Sequence, residues 1–342
     1  MQILITGGNG FLGHHLTSVL QRDQHTVRAL VLPAEDTAWL KARQVEIFRG
    51  DVRDPETLTS PLRGVDCVFH LAAAAIGSWT SVRRSYAVNV TGTHNVCRAA
   101  MAAGVGRIIH ISSAMVYDMA AGRPATEEDP LRPIDEPYCL AKAAADQMVQ
   151  RMIAKDGLPA VIIRPGTLFG PGDQLNFGRI ADRVRAGKSI IIGTGNNAVP
   201  LVYVSDAVHG LLLAMQSDRA LGQIYNIGSD ERLSQKMLLT LIARTMGVAP
   251  PRLHVPYHVL YAAAHAAERL SAVSNYRLRP PVTRQGVKLY GADNRLCIDK
   301  ARRELGYVPS VALRDGLQTA ASCHLRNLTD PGEAGVRLAT QG

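Results

Sequence analysis

The chain has 342 residues, 46% of them hydrophobic, which suits a folded α/β protein of one or two domains. Its formal charge of +9 could attract nucleic acid, anionic lipid or a phosphorylated or carrier-bound substrate, but the basic residues are dispersed and aromatics make up only 5%, so platforms for stacking bases are scarce and no nucleic-acid partner is expected. No apolar run approaches the ~20 residues of a membrane span, and the 5 cysteines, odd in number and without C-x-x-C spacing, argue against disulfides and a metal site and for a reducing, cytoplasmic compartment.

Structure is expected from residue 2, which leaves no room for a signal peptide. A first strand, 2–6, runs into Gly7-Gly8-Asn9-Gly10-Phe11-Leu12-Gly13 and a helix over 11–22. Gly8, Gly10 and Gly13 fit G-x-G-x-x-G, and Gly7, Gly10 and Gly13 fit the looser G-x-x-G-x-x-G. Such glycines permit a tight turn and a close backbone approach to a pyrophosphate. The helix aims unpaired N–H groups and its positive dipole end at the same place. A turn that is glycine-rich for packing alone is the competing reading. The second strand, 26–31, ends at Val31, where an acid would hold the ribose hydroxyls of NAD. Glu35 and Asp36 come late, and no arginine stands at Leu32 to select a 2′-phosphate, so NAD and NADP both stay open. Arg28, Lys41 and Arg43 are near in sequence and read as solvated surface.

Strands at 45–48, 66–71, 107–111 and 159–163 alternate with helices near 82–103 and 137–155. This rhythm predicts an α/β fold with a Rossmann-type doubly wound parallel sheet, whose ligands bind at the carboxyl ends of the strands. Gly7, Asp51, Leu71, Ser113 and Arg164 fall at those ends and are expected to meet in one cleft. After Arg164 the texture changes to Gly-Thr-Leu-Phe-Gly-Pro-Gly-Asp, then to helices. Residues 166–200 and 229–330 are expected to form a smaller, mostly helical substrate lobe. Residues 201–227 return to the dinucleotide domain of 1–165, and 331–342 form a tail. The most apolar helix, Pro256 to Leu270, carries His258, His265, Glu268 and Arg269. It could lie on a membrane surface; a buried helix of the lobe is the preferred reading.

Tyr138 and Lys142 stand four apart on the helix that Pro137 starts, so they share a face. A free tyrosine, with a pKa of ~10, is a poor base near neutrality. A neighbouring ammonium favours the phenolate, and so would an oxidised nicotinamide. Ser113, just past a strand, can hydrogen-bond the same substrate oxygen, and Lys142 can also reach ribose hydroxyls. Hydride would pass between a carbinol carbon and the nicotinamide while Tyr138 carries the proton. Tyr-x-x-x-Lys alone is a weak signal, since tyrosine often packs over a lysine stem. Its company with Ser113 and the glycine turn gives it weight.

Together these residues resemble the extended short-chain dehydrogenase/reductase family, part of the NAD-dependent epimerase/dehydratase superfamily. The likeness runs from Ile3 to about Gly316. Beside the glycine turn it rests on Gly50-Asp51-Val52-Arg53-Asp54, Phe69-His70-Leu71-Ala72-Ala73, Asn89-Val90-Thr91-Gly92-Thr93, Ser112-Ser113-Ala114-Met115-Val116-Tyr117 and Pro137-Tyr138-Cys139-Leu140-Ala141-Lys142. The resemblance implies an NAD(P)(H) cofactor held by Gly7, Gly10, Phe11, Leu12, Gly13, Asn89, Tyr138 and Lys142. It implies Asp51 and Val52 at the adenine end, Leu71, Ala72 and Ala73 along the pyrophosphate and ribose path, and Pro165, Gly166 and Thr167 beside the nicotinamide. Ala141 departs from the serine common there, a change with little effect on proton transfer.

Within the family, sugar-nucleotide epimerases and dehydratases usually carry an asparagine where this chain has Gly166-Thr167, and an arginine where it has Val199-Pro200. Neither Val199 nor Pro200 can hold a diphosphate by charge. Arg164-Pro-Gly-Thr-Leu-Phe-Gly-Pro-Gly-Asp173, Tyr225-Asn-Ile-Gly-Ser229, Pro280-Pro-Val-Thr-Arg284 and Asp299-Lys-Ala-Arg-Arg-Glu-Leu-Gly-Tyr307 look instead like the 3β-hydroxysteroid dehydrogenase branch. That branch implies a hydrophobic secondary alcohol or ketone, steroid-like or a long-chain 3-hydroxy/3-oxo compound. The alternatives are a sugar-nucleotide 4-epimerase and a dinucleotide-sensing regulator without chemistry; regulators of that kind typically lack the tyrosine and lysine. The family also implies a homodimer through the helices at 82–103 and 137–155, where Ala99, Ala100, Ala102, Ala103 and Ala143 to Ala145 would allow close approach.

Overall fold

The computed structural model describes residues 1–74, 82–118, 121–273, 280 and 282–329. Pro281, inside one of the branch-like stretches, and the expected tail 331–342 lie outside the described residues. Seven strands form the main sheet: β1 Gln2–Thr6, β2 Thr26–Val31, β3 Glu46–Arg49, β4 Cys67–His70, β5 Arg107–Ile111, β6 Ala160–Pro165 and β7 Ile224–Ile227. All pairs are parallel, in the spatial order β3-β2-β1-β4-β5-β6-β7. The order reverses between β1 and β4, which places a crevice at their carboxyl ends.

The strands are apolar almost without break because both faces are covered. Ile3, Ile5, Cys67, Phe69, Ile109, Ile111, Val161 and Ile163 enter one core with Leu16 and Leu20 of the helix Phe11–Arg22 and Leu211 of the helix Val204–Gln216. Leu4, Val68, Ile108, Ala160 and Ile162 point the other way, onto Val96 and Cys97 of the helix Thr93–Ala102 and Val149 and Met152 of the helix Pro137–Asp156. A third core joins Phe177, Val199, Leu239, Ile242, Leu313 and Leu317. It draws on the segments expected to form the second lobe, with Leu201 added from the returning segment.

Two expectations need correction. The helix expected over 82–103 is broken: Val82–Tyr86 is α-helical, Ala87–Gly92 widens into a π-helix, and Thr93–Ala102 resumes. Side-chain ties and a tight contact mark the widened turn. Asn89 bonds the Ala74 backbone, and a side chain at Gly92 would stand 2.6 Å from Val52 Cγ2. The apolar helix, Tyr257–Val273, is not buried. Only its inner face packs, with Ala264, Tyr257, Leu260 and Tyr261 against Ile192 and Val287.

Candidate active site

The glycine turn is built as a cradle. Gly7 has φ +70°, and a Cβ there would lie 2.9 Å from the Ala72 backbone, so the turn presses against the end of β4. A Cβ at Gly13 would lie 2.5 Å from the Gly8 carbonyl oxygen, which seals the helix onto the turn. Gly10 differs: only the Gly7 carbonyl comes within reach of its Cβ position, at 3.3 Å. The helix from Phe11 has no side-chain cap and no acid in its first turn. Its N–H groups at Phe11, Leu12 and Gly13 therefore face that open side with positive polarity, which fits a pyrophosphate.

The loop after β4 is pinned by a chain of hydrogen bonds that sequence reading missed. Thr93 donates its hydroxyl to the Asn89 carbonyl at 2.6 Å, so it accepts from His70 Nε2 at 2.9 Å. His70 Nδ1 is then bare and accepts from Thr6 Oγ1 at 2.7 Å, and Thr6 Oγ1 in turn accepts from the Ala72 N–H at 3.3 Å. Burial holds His70 neutral, its pKa pushed down to about 3, with the Lys142 ammonium adding to the effect. Asn89 clamps Ala74 from the other side: Oδ1 accepts from its N–H at 3.0 Å and Nδ2 donates to its carbonyl at 3.3 Å. Asn89 also donates to Ser85, which donates to the Pro137 carbonyl at 3.1 Å, so the clamp reaches the start of the tyrosine helix. Leu71, Ala72 and Ala73 thus sit on a fixed backbone beside Gly7.

Past the carboxyl end of β3, Asp51 is held by Arg53, whose Nε lies 2.9 Å from Oδ2 and whose Nη2 lies 2.5 Å from it. The hydrogen bonds from Arg53 hold its carboxyl below the ordinary aspartate range, against a smaller opposing effect of burial. Val52 is buried under Gly92, and its carbonyl accepts from Asn95 Nδ2 at 3.0 Å. Val31 is buried and offers no charge. Arg28 lies away from the β2 carboxyl end, on Glu46 at 2.7 Å. Arg43 stacks over Trp39 at 4.0 Å, and Asp36 caps Ala38.

Ser113 stands at the carboxyl end of β5. Its Oγ accepts from the Met115 N–H at 3.1 Å. Tyr138 occupies the first turn of Pro137–Asp156, where Glu136 Oε2 accepts from the N–H groups of Tyr138 and Cys139 at 3.0 and 3.1 Å. Burial raises the phenol's pKa above its ordinary value, while the nearby Ser113 hydroxyl pulls it back. Lys142 is buried one turn on, and its Nζ donates to the Ile111 carbonyl at 2.5 Å. Burial lowers its pKa to about 8, with Asp146 acting in the opposite direction. No hydrogen bond links Tyr138 and Lys142 directly; they share a face of the helix. Around the phenol lie Met115, Ile134, Leu289 and Tyr290.

Arg164 does not reach the cleft, contrary to the sequence expectation. It runs under the helix and makes a bidentate pair with Asp146, at 2.9 Å from Nε and 2.7 Å from Nη2, both residues being buried. Asp146 also accepts from Ser112 Oγ at 2.5 Å and from Gln150. Arg164 donates further to Tyr117, and Tyr117 to Asn226 of β7, each at 2.8 Å. A fully buried ion pair thus ties the strand end that carries Ser113 to the helix that carries Tyr138 and Lys142.

Gly166 and Thr167 leave β6 against the chain before the strand Leu201–Tyr203: a Cβ at Gly166 would lie 2.5 Å from the Pro200 carbonyl oxygen. A side chain at Gly166 has no room there. Val199 is buried in the third core and cannot face an anion.

A model of the NAD dependent epimerase/dehydratase family matches residues 3–228. The chain is 33% identical over 327 residues to the 2-alkyl-3-oxoalkanoate reductase of Stenotrophomonas maltophilia, covering 93% of this chain and 98% of that protein. It is 30% identical over 332 residues to the sterol-4-alpha-carboxylate 3-dehydrogenase, decarboxylating, of Mus musculus, covering 94% and 90%. Among solved structures, gox2253 superposes with a TM-score of 0.81 at 31% identity, covering 95% of this chain and 98% of that one. The dTDP-glucose 4,6-dehydratase DesIV of Streptomyces venezuelae, solved with NAD bound, superposes at 0.78 with 26% identity, covering 96% and 98%. The chain belongs to the NAD dependent epimerase/dehydratase family of extended short-chain dehydrogenases/reductases, on its 3β-hydroxysteroid dehydrogenase-like side, and is a nicotinamide-dependent enzyme of CH–OH oxidoreduction.

Proposed function

We propose that this enzyme reduces a ketone, or oxidises the matching secondary alcohol, on a hydrophobic steroid-like or long-chain 3-oxo/3-hydroxy substrate, with Ser113, Tyr138 and Lys142 as its catalytic group. The observation that carries this is the placement of Ser113, at the end of β5, beside Tyr138, whose helix face also carries the buried Lys142, with an apolar wall of Met115, Ile134, Leu289 and Tyr290 around them. The relatives named above act on 3-oxo acids and sterol acids by their names, which agrees with such a wall.

A nicotinamide cofactor, when bound, would supply or accept the hydride. Backbone N–H groups of Phe11, Leu12 and Gly13 would hold the pyrophosphate, and the clamped Leu71 to Ala73 segment would line its path. Ser113 uses one lone pair on Met115, which orients its hydroxyl toward the substrate oxygen and Tyr138. In reduction, Tyr138 gives its proton to the carbonyl oxygen; its raised pKa keeps that proton in place beforehand. The Lys142 ammonium then stabilises the phenolate left behind. In oxidation the same groups act in reverse.

The dinucleotide domain is assigned to 1–165 with 201–227, and the substrate lobe to 166–200 and 229–330. Dimerisation through the helices around Thr93–Ala102 and Pro137–Asp156 belongs to this reading; Ala100, Ala143 and Ala145 are buried in the subunit, which leaves Ala99, Ala102, Ala103 and Ala144 for that contact. Among the described residues no helix is long and apolar enough to cross a membrane.

Nicotinamide absorbance with purified protein and a panel of hydrophobic ketones tests the proposal. Net oxidation of NADH or NADPH is expected, with Tyr138→Phe about 1,000-fold slower or worse and cofactor affinity kept. Retained cofactor and a changed sugar stereocentre would replace it with epimerisation, which the buried, uncharged Val199 opposes.

A further inference from the structure

A recess of about 270 Å³ opens beside the turn that follows Ser113. Ala114 and Tyr117 line one side, Pro200 a second, and Asn294 and Arg295 a third. Ala114 comes directly after Ser113. The Pro200 carbonyl accepts from the Thr167 N–H at 2.6 Å, on the segment assigned above to the nicotinamide. Asn294 is tied to the wall around the phenol. Its Nδ2 donates to the carbonyls of Lys288 and Leu289 at 2.8 and 3.0 Å, and Leu289 packs with Tyr138. The recess therefore adjoins the site of Ser113 and Tyr138. It is smaller than the ~300–1,000 Å³ of a pocket that encloses a whole ligand, so it takes one branch of a molecule.

Two buried polar atoms of this lining have no hydrogen-bond partner among the described residues. Asn294 is only 4% exposed, and with Nδ2 spent on two carbonyls its Oδ1 is left as a bare acceptor. Arg295 Nε is a bare donor: Asp293 Oδ2 lies 3.3 Å away as an ion pair, without hydrogen-bond geometry. A hydroxyl is the smallest group that satisfies both, since it donates and accepts at once. The charges of the lining balance, Arg123 and Arg295 against Asp118 and Asp293. A carboxylate would meet two like charges and the Asn294 oxygen. An alkyl branch would strip water from both bare atoms and return nothing. We infer that the recess is a subsite for a substrate hydroxyl close to the reacting carbonyl, so that the substrate is a hydrophobic hydroxyketone or the matching diol. This rests on the reading of Ser113 and Tyr138 given above. The hydroxyl donates to Asn294 Oδ1, accepts from Arg295 Nε and takes no part in hydride transfer. Consecutive Cα atoms stand ~3.8 Å apart, so a recess that begins one residue past Ser113 suits a hydroxyl two carbons from the carbonyl.

Three probes of one chain length test this with the full chain and NADH or NADPH: dodecan-2-one, 4-hydroxydodecan-2-one and 3-oxododecanoate. The hydroxyketone is expected to exceed the plain ketone about 30-fold in kcat/KM. Arg295→Met, which keeps the apolar stem, and Asn294→Ala should each lower that ratio to about threefold or less. The ratio is taken within one protein, so any loss of folded enzyme cancels. Asn294→Ala also gives up two carbonyls, and if it does not fold, Arg295→Met decides. Equal kcat/KM for the two ketones overturns this inference alone, as does a preference that both variants keep. A preference for 3-oxododecanoate that Arg295→Met abolishes would give the recess to a carboxylate instead. Reduction of none of the three removes the proposed function, and this inference with it.

Discussion

Lys142 carries a charge that titrates close to a working pH. Its pKa, lowered by burial to about 8, means that the ammonium is present below that value and lost above it. If it stabilises the Tyr138 phenolate, the rate of ketone reduction should hold steady up to about pH 8 and fall beyond. Lys142→Arg keeps the charge across the range, so in that variant the falling limb should move well upward. A pH profile of kcat in both proteins checks this, and a limb unmoved by arginine would give it to another group. His110 offers a second test. Its ring is buried, stacked on His70 at 5.6 Å, and neither nitrogen has a hydrogen-bond partner. Burying an unpaired polar group is costly, so His110→Phe should keep the stack and raise stability by about 1–2 kcal/mol, read as a higher urea midpoint.

At the scale of elements, the buried Arg164–Asp146 pair holds β5, β6 and the tyrosine helix in one geometry. Removing one partner strands the other charge in the core. Asp146→Leu should therefore cost about 3–5 kcal/mol in urea unfolding. Arg164→Met added to it should recover part of that loss, because two apolar residues leave no lone charge. Sequence could not show this pair. Arg164 ends a strand, as cleft residues do, and the direction of its side chain depends on which face Ile162 and Ala160 take. The broken helix at Ala87–Gly92 was hidden for a similar reason: its widened turn is tied to contacts with Ala74 and Val52, both remote in sequence.

Across the whole molecule, the strands were legible to within about two residues because both faces of the sheet are covered and each strand reads as an apolar run. The strand-to-helix position of the glycine turn, the place of Ser113 after β5 and the shared helix face of Tyr138 and Lys142 were legible because they depend on local spacing. The Thr6–His70–Thr93 chain was not, since it needs the register of β1 against β4, with Thr6 paired to His70. The exposure of Tyr257–Val273 was misread because composition alone does not tell which face of an apolar helix finds a partner.

The position of β7 has a consequence for the order in which the chain is made. β6 is complete at Pro165, yet its outer edge gains a neighbour only at Ile224–Ile227, after the first part of the other lobe has been synthesised. Tyr117, which holds Arg164, waits for Asn226 over the same interval. A nascent chain stalled between these points would present an open strand edge and a polar cluster one partner short, the state most prone to pairing with a neighbour. A ribosome pausing before residue 227 would prolong the interval in which the outer edge of β6 stays open.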